Sequence, residues 1–116
     1  RPKDAQRALV HGLTEQTLAY IAVEVAVPDE DVAVFDDYVG PGYSLPTPAM
    51  IEAVLMLART ESILLDPVYS GKAMSGLIDL ARKDYFPKGA NVLFLHTGGS
   101  PALFAYLDTF RNDPKF

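Results

Sequence analysis

Two tyrosines, two small hydroxyls and a glycine pair are the residues of this chain with chemistry to offer. Tyr43 lies in Gly40-Pro41-Gly42-Tyr43-Ser44-Leu45-Pro46-Thr47, and Tyr69 in Asp66-Pro67-Val68-Tyr69-Ser70-Gly71-Lys72-Ala73-Met74. Each precedes a helical pattern, where a loop side chain can point into a cleft. A phenol is a poor base in water but a good hydrogen-bond donor, and a general acid if its pKa falls. The same rings can equally be amphipathic plugs with wet hydroxyls. A third stretch, His96-Thr97-Gly98-Gly99-Ser100-Pro101, joins an apolar run to a helix entry through glycines. Backbone N–H groups at such a junction can meet an anionic or polar ligand. Ser70 and Thr97 are of cap-forming type, so they read as helix caps before ligands. Lys72 reads as a phosphate contact, as an anchor, or as a solvated first-turn charge, the last weakly disfavoured by the helix dipole. Three loops of this kind point to one site assembled from all three.

The elements that must position these loops alternate between two periods. Residues 5–22 show a loose helical pattern that runs to about Glu24, although the valines of 21–27 also suit a strand. Val32 to Phe35 reads as a short strand, and 36–46 as a long irregular connection. Thr47-Pro48 is a clean helix start, with Met50, Ile51, Val54, Leu55 and Ala58 giving an apolar face up to Arg59. Leu64-Leu65 is a short extended piece. The next helix runs over about 72–83, with Ala73, Met74, Leu77, Ile78 and Ala81 inward. A buried strand over 91–96, a final helix over roughly 100–107 and a polar tail from Arg111 complete an α/β alternation. The strands are too few for a self-sufficient sheet.

Composition narrows the function classes. The chain has 116 residues, 49% hydrophobic and 22% charged, with a formal charge of −5 and its ten Lys and Arg scattered. That describes one folded domain without a nucleic-acid footprint. There is no cysteine, hence no disulfide framework, and the absence fits a reducing, cytoplasmic setting. No apolar stretch approaches a membrane span. His11 and His96 have no third ligand at metal spacing, and His96 reads as a sheet-end packing residue. The chain opens on Arg1-Pro2-Lys3 without methionine, which reads as a piece of something longer.

Taken together, GPGYSLPT, DPVYSGKAM and HTGGSPALFAY resemble the C-terminal third of the pyridoxal-phosphate enzymes of the D-cysteine desulfhydrase and 1-aminocyclopropane-1-carboxylate deaminase family. The resemblance covers nearly the whole chain. It implies the tryptophan-synthase β-like, fold type II architecture, with this chain as the end of the larger domain. It implies pyridoxal 5'-phosphate as cofactor, a small amino acid as substrate and a homo-oligomer. The family's cofactor-bonding lysine and phosphate loop have no counterpart here, and neither Lys72 nor Lys83 matches that lysine's motif. The isolated chain should therefore be inert and depend on the remainder of a parent polypeptide.

Carried over by motif, Tyr43 and Tyr69 match the family's two active-site tyrosines, which orient substrate and move protons. Thr97 matches a position near the pyridine nitrogen, and Gly98 one that lines the ring. Cyclopropane-opening deaminases carry glutamate after the second tyrosine, in DPVYEGK, and leucine in HLGG; this chain has Ser70 and Thr97. A carboxylate beside the ring nitrogen strengthens the electron sink, and a neutral hydroxyl does so much less. Loss of a good leaving group such as sulfide needs the weaker sink. The resemblance thus implies β-elimination from D-cysteine to pyruvate, ammonia and hydrogen sulfide. The alternatives are the cyclopropane deaminase itself and a catalytically silent module that keeps the fold.

Overall fold

The computed structural model describes residues 2–112, which divide into a first unit up to Asp36 and a second from Asp37. In the first unit α1 spans Lys3–Tyr20. It stops there rather than near Glu24 because Ala22 takes a left-handed backbone, φ 54°. The Val23 amide then donates to the Leu18 carbonyl at 3.0 Å and the Ala22 amide to that of Ala19 at 3.3 Å, which closes the helix end in the Schellman manner. The chain beyond returns along α1. His11 Nε2 lies 2.7 Å from the Val27 carbonyl, and the Arg7 guanidinium donates to that of Asp29.

In the second unit α2 spans Pro48–Glu61, α3 spans Ser70–Arg82, and a 3-10 helix over Ser100–Tyr106 runs into α4, Leu107–Arg111. The expected start of α2 is present: Thr47 Oγ1 accepts the Met50 N–H at 3.2 Å, and Pro48 opens the helix. The core joins Met50, Ala53 and Val54 of α2 to Leu65, Met74 of α3 and Phe110 of α4. Ala73 and Ala81, expected inward, are exposed instead. The buried stripe of α3 carries Ser70, Gly71, Lys72, Met74, Ser75 and Gly76.

Small residues occupy that stripe because α3 is pressed against its surroundings. A Cβ on Gly71 would lie 2.6 Å from the Asp66 carbonyl oxygen and 2.8 Å from Val54 Cγ2. Gly71→Ala is therefore expected to destabilise the chain by about 1–3 kcal/mol through overpacking, despite alanine's better helix propensity. Urea unfolding reads this directly, and an unchanged midpoint would mean that α3 can shift away at no cost.

The strands expected over 32–35 and over 91–96 do not form. Among the described residues no segment pairs in a ladder and all regular structure is helical, so the α/β expectation is not met within this chain. The reason is that a strand exists only through backbone bonds to a neighbour. The second segment still alternates as extended chain does: Phe94 packs on the core, while Leu93 and Leu95 are 93% and 78% exposed. The end of the polar tail, 113–116, lies outside the described residues. No helix among the described residues is long and apolar enough to cross a membrane.

Candidate functional site

Asp66 organises the start of α3. Its carboxylate is 2% exposed and takes hydrogen bonds from four donors. Oδ1 accepts the amides of Val68 (2.8 Å) and Tyr69 (2.7 Å), and Oδ2 accepts the Ser70 amide (2.7 Å) and hydroxyl. Ser70 Oγ in turn accepts the Asp66 amide at 2.9 Å. Burial pushes this carboxyl upward, but the Ser70 hydroxyl and the three amides outweigh it, so its pKa falls below 3.8. Asp66 thus performs the capping that Ser70 was expected to perform, and fixes the backbone from which the Tyr69 ring projects.

The loop that carries Tyr43 is held from three sides. Tyr38 donates its hydroxyl to Asp79 Oδ2 at 2.6 Å, at the loop's entry. Lys72 is 8% exposed, and its ammonium donates to the carbonyls of Val39 (2.6 Å) and Gly42 (3.0 Å). Of the three readings of Lys72, the anchor is the one realised. Tyr106 donates to the Ser44 carbonyl at 2.7 Å and also meets the Ser44 hydroxyl, at a residue in left-handed conformation, φ 63°. Between these ties the Tyr43 and Tyr69 hydroxyls approach to 2.5 Å, with ring centres 5.9 Å apart and planes tilted by 60°. The bond to Tyr43 retains the Tyr69 proton and raises that phenol above 10.0. Both tyrosines are largely exposed, at 73% and 61%, and neither ring is plugged into the core of this chain.

The glycine pair abuts the same start of α3. Gly98 and Gly99 both have left-handed backbones, φ 92° and 88°. A Cβ on Gly99 would lie 3.0 Å from Asp66 Cβ, whereas one on Gly98 would meet nothing within 4 Å. His96 sets this turn. Its Nδ1 accepts the Gly98 amide at 2.9 Å, so Nε2 carries the proton and donates to the Leu64 carbonyl at 3.0 Å. His96 has a structural role, although at an exposed turn and not at a sheet end.

Within the second unit the Tyr43 and glycine loops each meet the start of α3, and Tyr106 of the 3-10 helix after the glycine turn ties back to Ser44. Tyr43 and Tyr69 touch. Ser70 follows Tyr69 but is buried, with its hydroxyl turned to Asp66. Thr97 stands exposed, and among the described residues its hydroxyl is not hydrogen-bonded to Tyr43, Tyr69 or Ser70. Five residues of the assembly were not singled out from the sequence: Tyr38, Ser44, Asp66, Asp79 and Tyr106. For Asp66 a signal existed, because an acidic residue and a proline just ahead of a helix form a capping pattern. For Tyr106 none existed, since its partner lies far away in sequence.

The family model of pyridoxal-phosphate dependent enzymes matches residues 3–98. The chain belongs to this family. It is 42% identical to a 1-aminocyclopropane-1-carboxylate deaminase of Bradyrhizobium sp. (strain ORS 278), over 91% of this chain and 31% of that protein. It is likewise 42% identical to a protein of the same name from Rhizobium radiobacter, over 91% of this chain and 32% of that protein. It is 46% identical to a D-cysteine desulfhydrase of Salmonella typhi, over 81% of this chain and 31% of that protein. The chain thus spans about a third of the length of these relatives, and the cofactor of the family is pyridoxal phosphate.

The residues present fit one side of such a cofactor. Two exposed phenols leave acceptor sites free beside their mutual bond, and the open left-handed turn at Gly98 lets a flat ring approach the backbone without a Cβ in the way. Neither Lys72 nor Lys83 offers a free amine, since Lys72 is held by two carbonyls and Lys83 by Asp79 at 2.6 Å.

Proposed function

We propose that this chain supplies the substrate-facing, C-terminal wall of a lyase that eliminates sulfide from D-cysteine. With one water consumed, the products are pyruvate, ammonia and hydrogen sulfide. The observation that carries the reading is the hydrogen-bonded phenol pair, Tyr43 with Tyr69, exposed beside the glycine turn. Pyridoxal phosphate, when bound, supplies the electron sink that lets the Cα proton leave, and a lysine from another part of the polypeptide accepts that proton. This chain's share is to orient and to hold protons. The Tyr69 hydroxyl keeps its proton on Tyr43, and either phenolic oxygen can take a hydrogen bond from the substrate ammonium. Thr97 would add a neutral hydroxyl at the exposed turn, Gly98 would leave room there for a flat ring, and Ser70, its hydroxyl turned to Asp66, holds the backbone behind Tyr69.

Sulfide as leaving group is supported by Ser70 and Thr97 standing where the resemblance puts glutamate and leucine in the deaminases. The second reading, opening of a cyclopropane amino acid, is supported by relatives so named that align with 91% of the chain. A full-length protein carrying this segment decides between them. Offered both substrates with pyridoxal phosphate, it is expected to release sulfide and pyruvate from D-cysteine far faster than ammonia and 2-oxobutanoate from the cyclopropane. The reverse ranking would establish the deaminase, and neither activity would leave the silent module. A cytoplasmic homo-oligomer and an inert isolated chain belong to the same reading.

A further inference from the structure

The Lys72 ammonium is buried on α3, and among the described residues no carboxylate lies within ion-pair distance of it. Its partners are the carbonyls of Val39 and Gly42, at 2.6 and 3.0 Å. A buried cation held by carbonyl dipoles alone is retained only where its geometry is kept, because any lost bond leaves charge unsatisfied. Gly42 immediately precedes Tyr43, and Tyr69 immediately precedes the helix that bears Lys72. The loop is therefore gripped twice by the start of α3, at its backbone by the ammonium and at its tip by the phenol. The tip grip alone is a single exposed hydrogen bond, open to competition from water.

We propose that Lys72 is a positioning residue whose double donation holds the 39–43 loop so that the Tyr43 phenol meets the Tyr69 phenol. The catalytic consequence rests on the lyase reading; the geometry does not. In the 116-residue chain with tyrosine labelled at Cζ, Tyr69 is expected to titrate above 10.0, its bond to Tyr43 being the main cause. The other groups that act on it are Tyr43 itself and the Asp66 carboxylate. In Lys72→Met, with helix content unchanged by circular dichroism, Tyr69 is expected to fall toward 10.0. Lys72→Arg, which keeps charge and donors, is expected to retain most of the elevation. Tyr43→Phe should lower Tyr69 as well, and adding Lys72→Met to it should change nothing more, since both act through one contact.

A Tyr69 that stays elevated in folded Lys72→Met, or a further fall in the double variant, overturns the proposal. Should Lys72→Met fail to fold, reductive methylation of the folded wild-type chain decides. Lys72 is expected to react well after the exposed Lys88, and equal rates would show that its ammonium is not engaged. These outcomes are separable from the lyase reading. Coupled phenols with no sulfide release in the full-length protein would sink the function and spare the geometry.

Discussion

Asp66→Asn is expected to cost this chain about 2–3 kcal/mol, the scale of a charged acceptor lost from buried donors. The substitution conserves shape and removes one acceptor. The asparagine amide would have to place its NH2 against either the Val68 and Tyr69 amides or the Ser70 amide and hydroxyl, all of which donate. Two N–H groups facing one another in a site that is 2% exposed have no water to turn to. Urea unfolding at neutral pH measures the loss, and a midpoint equal to wild type would show that the four bonds contribute nothing net.

The same carboxylate makes stability depend on pH. Its folded pKa lies below the unfolded value of 3.8, so its contribution is complete above that value and is lost as pH falls through the folded one. The unfolded chain takes up a proton there before the folded chain does. Asp66→Asn should remove this part of the acid destabilisation, so the gap between wild type and variant narrows as pH drops below 3.8. A gap that stays constant into the acid range would place the effect elsewhere than in ionisation.

Tyr69→Phe, in a full-length protein that carries this segment, is expected to lower kcat for sulfide release by about 10²–10⁴, the usual worth of a positioned proton donor. The ring remains, and the backbone is still held by Asp66, so cofactor absorbance should not change. What is lost is one O–H, and with it the fixed orientation of the Tyr43 hydroxyl 2.5 Å away. Tyr43→Phe should therefore cost nearly as much, and the double variant little more than either alone, because the two hydroxyls act as a unit. Turnover unchanged in Tyr69→Phe would remove the phenol pair from the mechanism. Losses that simply add would separate the two rings into independent contacts.

Local physics accounts for what the sequence by itself determined. The Thr47-Pro48 cap, the apolar face of α2 and the glycine turn at Gly98-Gly99 depend on neighbours within a few residues, so their signals survive without a fold. The three motifs were enough to name the family, which the match over residues 3–98 shows. Placement of helix ends was less legible. Ala22, Ser62 and Asp84 all adopt left-handed backbones with no glycine to mark them. On α3 the apolar spacing pointed to Ala73 and Ala81 beside Met74, Leu77 and Ile78, yet Gly71 and Gly76 face inward instead, where the close approach of Val54 and Tyr38 leaves no room for a Cβ.

Only the tertiary structure decided which of the chemically able residues meet. Residues 43 and 69, 44 and 106, 72 and 39, and 66 and 99 are paired by the packing of α3 on α2 and by the loops that this packing holds; no local rule reaches so far along the chain. It also decided that 91–96 stays unpaired. A run of β-branched and apolar residues expresses a preference for extended backbone, but a ladder requires a neighbouring strand, which no other segment among the described residues provides.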